Sequence, residues 1–206
     1  KGASSLTWQR TACGPDRPLP GGKRIRNVSI GKGAKSAAET EMDKMVGRES
    51  MGIKVVKFGG SSLADANQFR KVKEIVLADP ARRYVVPSAP GKRSYKDEKI
   101  TDLLYACARM AANGESIGEA FSQVTERYVD IAFELELAFD IMPVLDKVKA
   151  DSENGAGPDY AASRGEYING LLLAAYLGYD FVDAAQVICF DAAEEYDGEC
   201  TVQRIK

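Results

Sequence analysis

A strand, a glycine-rich turn and a helix follow one another between residues 53 and 77, and this succession constrains the fold most. Residues 53–58 are β-prone, Gly59 and Gly60 follow, and residues 64–77 carry four apolar side chains at helical spacing. The pattern then repeats, with a buried strand predicted at 83–86. Alternation of strand and helix predicts an α/β fold whose parallel sheet is covered on both faces.

The rest of the chain predicts mainly helices. The predicted elements are a helix at 101–112, a long helix at 116–137, a turn or helix at 142–148, a helix at 162–177, and short strands at 180–183 and 187–190. The buried stripe of the long helix is predicted to be Phe121, Val124, Tyr128, Ile131 and Leu135. Residues 191–206 show no convincing terminal element, and a single α/β domain is the simplest assignment.

The first fifty residues differ in composition from the remainder. They carry ten Lys or Arg against five Asp or Glu, whereas residues 51–206 carry 18 against 25. Residues 1–50 also lack any sustained period, so we expect a basic extension that does not pack. It could be sequence translated from upstream of a natural start at Met51, a transit peptide or a nucleic-acid-binding arm. The first interpretation is favoured, because basic residues interleaved with aromatic ones are missing.

The chain contains no histidine, which excludes Ser-His-Asp and Cys-His catalysis and the common zinc sites. Its four cysteines have neither metal-ligand nor disulfide-framework spacing, so Cys107 and Cys189 are predicted to be core residues in a reducing cytoplasm. No apolar stretch approaches the roughly 20 residues that span a bilayer. We expect no protein-bound metal, no membrane and no nucleic-acid partner.

The turn KFGGSS at residues 57–62 is the first segment that could carry chemistry. Glycines let backbone N–H groups approach a phosphate, and the following helix N-terminus favours negative charge. It is neither a Walker P-loop nor a Rossmann fingerprint, since GxxxxGK[ST] and GxGxxG are both missing. Alternatively, it is an ordinary turn in which Ser61 or Ser62 caps the helix.

Two further segments combine polar and small residues. The run PSAPGKR at 87–93, followed by KITD at 99–102, comes after the second strand, so it could face the same crevice as the first turn. The segment DYAASRGEYING at 159–170 introduces charges into an otherwise apolar helix. Alternatively, the first run is a solvated surface loop in which Thr101 caps a helix. The second segment, taken alone, is more simply interpreted as an exposed helix turn.

Together and in this order, the three segments resemble aspartate kinases of the amino acid kinase family. The resemblance runs from about residue 51 to about residue 191, and it rests on KFGGSS, SAPGKR with KITDLLY, and SRGEYING. It implies a three-layer α/β/α sandwich with a mainly parallel sheet. It also implies Mg-ATP-dependent phosphorylation of the β-carboxylate of L-aspartate, the entry step to lysine, threonine and methionine synthesis, by a homo-oligomer.

The resemblance also implies roles for individual residues. Lys57 would neutralise the transferring phosphoryl group, and the phosphates of ATP would be bound by Lys57, Phe58, Gly59, Gly60 and Ser61. Ser88 and Thr101 would line the aspartate pocket. Glu166 would hold the α-ammonium of aspartate, and Arg164 would contact a substrate carboxylate or brace the turn. No catalytic base is required, because a carboxylate is already a charged nucleophile.

The family pattern continues beyond the matched segments with a GRGGSD-type motif and a pair of ACT domains, which this sequence lacks. We therefore expect the catalytic domain to be incomplete at its C-terminal end and the 206-residue chain to be inactive alone. Two other hypotheses are a non-catalytic piece that associates with a complete kinase subunit, and a kinase of the same family with a different acceptor.

Overall fold

A computed structural model describes residues 52–205, so the predicted extension at 1–50 and the start at Met51 lie outside the described residues. The elements, in chain order, are β1 (Lys54–Phe58), a 3-10 helix (Gly60–Leu63), α1 (Ala66–Leu77), β2 (Arg82–Pro87), α2 (Ile100–Ala112), α3 (Gly118–Glu134), α4 (Met142–Glu153), α5 (Gly157–Leu177), α6 (Ala184–Val187), β3 (Cys189–Phe190), β4 (Tyr196–Asp197) and α7 (Gly198–Ile205). The α/β class with a parallel sheet is confirmed.

The first helix begins two residues later than its pattern predicts. The backbone from Gly60 to Leu63 forms a 3-10 turn, and α1 starts at Ala66 because the Asp65 carboxylate accepts the Gln68 N–H over 2.9 Å. No side-chain cap from Ser61 or Ser62 is formed. The alternative prediction that Ser61 or Ser62 caps the helix is therefore wrong.

Strands β1 and β2 pair in parallel, with Val56 opposite Val85. Val56, Phe58 and Val85 pack against the helical core. On the other face of the sheet, Tyr84 is 55% exposed and Val86 is 46% exposed. The prediction that β2 is buried on both faces is wrong, because about half of each of these two side chains remains exposed among the described residues.

The core lies among helices α1 to α5. The predicted stripe of α3 is confirmed, since Phe121, Val124, Tyr128, Ile131 and Leu135 are all buried. Helix α2 buries Leu103, Leu104 and Cys107 against this cluster. The prediction that Cys107 is a core residue is confirmed.

Helices α4 and α5 are both longer than predicted. Helix α4 continues to Glu153, and α5 starts at Gly157, in what was predicted to be a turn, because Pro158 occupies the first turn, where a missing N–H costs nothing. Helix α5 ends at Leu177, and Gly178 directly after it adopts a left-handed conformation with φ of 71°. Of the described helices, none is both long enough and apolar enough to cross a membrane.

The C-terminal segment departs furthest from prediction. Residues 180–183 form no strand, and 187–190 contain only the two-residue strand β3, which pairs with β4. Residues 191–206 were expected to lack a terminal element, but they contain β4 and the helix α7. Short-range β-propensity was misleading at 180–183, because no described strand pairs with this segment.

Cys189 and Cys200 form a disulfide that the cysteine spacing did not predict. The turn between β3 and β4 reverses the chain, and α7 then carries Cys200 back to β3. The Cys189 N–H also donates to the Thr201 hydroxyl over 2.9 Å. The side chain of Cys189 is buried, as predicted. The prediction that its thiol is reduced is wrong, because its sulfur is bonded to that of Cys200.

Candidate active site

The two glycine-containing turns after β1 and β2 are in direct backbone contact. The Gly91 N–H donates to the Gly60 carbonyl oxygen over 2.8 Å, and the Ser88 N–H donates to that of Phe58 over 3.0 Å. A Cβ atom on Gly60 would lie 2.7 Å from the Ala89 carbonyl oxygen. Because the carboxyl ends of parallel strands meet at one sheet edge, the predicted convergence of these turns is confirmed.

Helix α5 brings the third segment onto the second turn. Glu166 accepts the Ala89 N–H over 3.3 Å, and one turn further along, the Asn169 amide donates to the Ser88 carbonyl oxygen over 2.6 Å. Gly165 permits this approach, since a Cβ there would lie 2.8 Å from the Cβ of Ala89. Three segments that are distant in sequence thus meet around residues 88–91.

The first turn presents backbone donors at the start of the 3-10 helix. Among the hydrogen bonds of residues 52–205, none uses the N–H of Gly60 or of Ser61, whereas the Ser62 N–H donates to the Gly59 carbonyl oxygen. Lys57 is exposed near the end of β1 and makes no ion pair with another described residue. The donors and the cation that phosphate oxygens require lie on one short segment.

A model of the amino acid kinase family matches residues 52–206. The chain belongs to the amino acid kinase family. Its matched segment contains all three of the segments that meet around residues 88–91.

Aspartate kinases are among the proteins that match this chain. Aspartokinase 3 of Bacillus subtilis (strain 168) is 44% identical over 148 residues, which cover 68% of this chain and 32% of that protein. The crystal structure of Clostridium acetobutylicum aspartate kinase matches with a TM-score of 0.72 at 52% identity, over 75% of this chain and 36% of that one. The chain therefore spans about a third of the length of these relatives.

A more distant match is E. coli aspartokinase III, solved in complex with aspartate and ADP. It matches with a TM-score of 0.58 at 25% identity, over 73% of this chain and 36% of that one. A second structure of the same enzyme, in complex with lysine and aspartate, matches with a TM-score of 0.58 at 26% identity. The amino acid kinase fold predicted from sequence is confirmed by these matches.

Within this amino acid kinase domain, Thr101 lies close to the second turn, residues 87–93. Thr101 is half-buried in the first turn of α2 and does not cap it, because the helix begins after Lys99 without a side-chain cap. The Ile100 N–H donates to the Pro90 carbonyl oxygen over 3.2 Å, which ties the start of α2 to the second turn. Thr101 therefore lies next to the residue that joins α2 to this turn.

Arg164 is held between two tyrosines. Its guanidinium carbon lies 4.8 Å from the ring centre of Tyr160 and 4.7 Å from that of Tyr167, and it donates to the neighbouring Ser163 hydroxyl. Burial and a hydrogen bond to Asp151 raise the pKa of Tyr160 above its usual range. These three contacts of Arg164 are all with residues of its own helix.

A cavity of about 730 Å³ opens beside the end of β2 and contains side chains from the third segment. Both Glu166 and Arg164 line it, together with residues 83–87 of β2 and residues 179–185. The Phe181 ring packs edge-on to Tyr167, with ring centres 5.5 Å apart. The volume lies within the range of small-molecule sites.

Sequence reasoning missed a buried arginine that touches both turns. Arg127 of α3 donates to the Gly91 carbonyl oxygen over 2.9 Å and to that of Ala64 over 3.5 Å, and it pairs with Asp97. One signal was present, because Arg127 follows Val124 by three residues within the apolar stripe. A charge at such a position indicates a buried partner.

Asn169 belongs to the third segment, but the sequence pattern predicted no role for it. Its side chain is fully buried, and its amide oxygen has no hydrogen-bond partner among the described residues. The Tyr128 hydroxyl, also buried, donates to the Gly165 carbonyl oxygen over 2.8 Å. The Asn169 and Tyr128 hydrogen bonds fix α5 against the second turn and against α3.

Proposed function

We propose that the protein to which this chain belongs transfers the γ-phosphoryl group of ATP to the β-carboxylate of L-aspartate, giving aspartyl phosphate. The observation that carries the proposal is the meeting of three segments: Gly91 bonds to Gly60, and Glu166 bonds to Ala89. Backbone donors for phosphates and an acid for an amino-acid substrate thereby lie on joined segments.

The relatives support both substrates. E. coli aspartokinase III was solved with aspartate and ADP, and the Clostridium protein is an aspartate kinase at 52% identity. Mg²⁺ would arrive on the phosphates of ATP. We further propose that the activity is cytoplasmic, that it begins lysine, threonine and methionine synthesis, and that the complete enzyme is a homo-oligomer.

The chemistry requires positioning and charge neutralisation. Attack of a carboxylate oxygen on the γ-phosphorus breaks the bond to the β-phosphate oxygen and leaves ADP, so like charges must approach. Lys57 and the N–H groups of Gly60 and Ser61 would stabilise the charge on the transferred group. Phe58 and Gly59 would hold the turn in which these donors lie.

The acceptor would bind beside the second turn. Glu166 would pair with the α-ammonium of aspartate through the oxygen that the Ala89 N–H leaves available, and this pairing distinguishes amino acids from simple dicarboxylates. Ser88 and Thr101 would supply hydroxyl groups to the substrate. The N–H groups of Arg164 that do not bond to Ser163 would donate to a substrate carboxylate, while the rings of Tyr160 and Tyr167 restrain the orientation of the guanidinium group.

The test is a trapping assay on the complete protein encoded by the reading frame that contains these residues. Incubation with ATP, Mg²⁺, hydroxylamine and aspartate should yield aspartyl hydroxamate, whereas glutamate and N-acetylglutamate should yield none. Preferential use of another acceptor would overturn the assignment to aspartate. The 206-residue chain assayed alone should be inactive, and turnover at the rate of the complete protein would refute that expectation.

A second candidate is a non-catalytic role in association with a complete kinase subunit. The specific observation is the outer face of the sheet, where Val55 is 67% exposed beside Tyr84. Tagged 206-residue chain and untagged complete Clostridium enzyme would be mixed and passed over an affinity column. Retention of the enzyme, lost when Tyr84 is replaced by Lys, would favour this role.

A further inference from the structure

Arg127 connects three parts of the chain that are far apart in sequence. From α3 its guanidinium reaches the main chain 63 residues earlier at Ala64, the main chain at Gly91, and the carboxylate of Asp97. Only 3% of the arginine is exposed. The contact with Asp97 is a salt bridge, and Asp97 also accepts hydrogen bonds from Arg93.

These contacts lie on the two turns that carry the proposed phosphate and aspartate sites. Gly91 is bound on both sides, because its N–H donates to Gly60 and its carbonyl oxygen accepts from Arg127. Ala64 directly follows the 3-10 helix that begins at Gly60. One side chain therefore contacts the main chain of the second turn and the main chain that follows the first.

The energetics of burial argue against a purely stabilising role. The Arg127 Nε atom is buried without a hydrogen-bond partner among the described residues, and burial lowers the pKa of the guanidinium. Replacing a buried ion pair by apolar side chains of similar volume is often neutral or stabilising. A fork of donors, unlike an apolar side chain, can hold two carbonyl oxygens and a carboxylate in one arrangement.

We propose that Arg127 is a positioning residue for phosphoryl transfer, which holds residues 87–99 against residues 57–64 in the geometry that the reaction needs. The inference rests on the proposed function. Asp97 neutralises the charge of Arg127 and restrains the same loop from its far end. Arg127 acts through the backbone of Gly91 and need not touch either substrate.

The kinetic test compares Arg127→Met and Arg127→Lys in the complete protein. We expect kcat to fall about a hundredfold in Arg127→Met, because misplacement by about 1 Å costs this much, while the KM for aspartate changes less than kcat. Arg127→Lys keeps the charge but not the fork, so it should recover only part of kcat. Arg70→Met is the matched control, since exposed Arg70 also donates to a main-chain oxygen, that of Glu134.

An unchanged kcat in Arg127→Met, or a full recovery in Arg127→Lys, would overturn the inference. The second measurement is hydrogen exchange on the 206-residue chain, which needs no activity. Exchange should accelerate in Arg127→Met at Gly91 and at Ser62, whose N–H groups donate to Gly60 and Gly59, and remain unchanged in α5. Uniform acceleration along the chain would indicate a purely structural role. If wild-type protein does not phosphorylate aspartate, the proposed function fails, and the exchange pattern still decides whether Arg127 holds the turns together.

Discussion

Gly60 and Gly91 are in backbone contact, with the Gly91 N–H 2.8 Å from the Gly60 carbonyl oxygen and no room for a side chain on either residue. A Cβ on Gly91 would lie 2.7 Å from the Gly60 carbonyl carbon, and one on Gly60 would lie 2.7 Å from the Ala89 carbonyl oxygen. Both clashes involve backbone atoms, which cannot rotate away as the end of a side chain can. The joining of the two turns therefore depends on two glycines.

Replacing Gly60 by Ala should destabilise the domain by about 1–3 kcal/mol, since the added methyl group forces the two turns apart. Gly59→Ala is the matched control, because a Cβ there meets nothing within 4 Å and φ is −76°. The control should stay within about 0.5 kcal/mol of wild type. Urea unfolding of the 206-residue chain measures both, and equal stabilities of the two variants would contradict the prediction.

Asp97 should make stability depend on pH in the acid range. Burial alone would raise the pKa of this carboxyl, but hydrogen bonds from Arg93 and the charge of Arg127 outweigh burial and lower it from 3.8 to about 2. Because the folded pKa is the lower one, the stabilisation, about 2 kcal/mol, is present above the unfolded pKa and is lost as pH falls through the folded pKa.

The comparison of wild type with Asp97→Asn isolates this effect. At pH 6 the wild type should be the more stable, because Asn cannot balance the buried charge of Arg127. The difference in unfolding free energy should shrink between pH 4 and pH 2, where Asp97 takes up its proton. A difference that stays constant over this range would show that Asp97 titrates normally.

Glu166→Gln should separate the two proposed uses of this side chain. The Gln amide oxygen can still accept the Ala89 N–H, so the unfolding free energy should change by less than about 0.5 kcal/mol. Loss of the charge should weaken binding of the α-ammonium by about 1.5–3 kcal/mol, which raises the KM for aspartate at least tenfold in the complete protein.

Glu153→Gln is the control for Glu166→Gln, because Glu153 pairs with Lys149 on the surface of α4. Its KM for aspartate should equal that of wild type. If Glu166→Gln also leaves this KM unchanged, the carboxylate does not hold the ammonium group, and its observed contact with Ala89 is its whole role.

The three described cysteines should differ in reactivity. Without reductant, a thiol reagent should label neither Cys189 nor Cys200, because they are bonded to each other, and it should reach Cys107 only after unfolding, because that thiol is fully buried. Peptide mass mapping measures each site. After mild reduction Cys200 should become labelled before Cys107. Labelling of Cys200 in untreated native protein would contradict the disulfide.

Most helices and both longer strands were predictable, because their patterns are local. The buried stripe of α3 follows the helical period, and Tyr128 lies where that period places it. The short strand predicted at 180–183 failed because a strand needs a hydrogen-bonded partner elsewhere in the chain. The disulfide was missed for a similar reason. A separation of 11 residues does not show that two cysteines are close in space, and here the β3–β4 hairpin and α7 bring them together.

By itself the sequence determined the order of strands and helices from β1 to α5, the family resemblance, and the segments that carry the proposed site. Only the tertiary structure decided what those segments touch: the backbone bond between Gly60 and Gly91, the contact of Glu166 with Ala89, and the burial of Arg127 against both turns. The physical reason is that periodicity depends on neighbours a few residues apart. These contacts join positions 31 to 77 residues apart, and they form only when the core has folded.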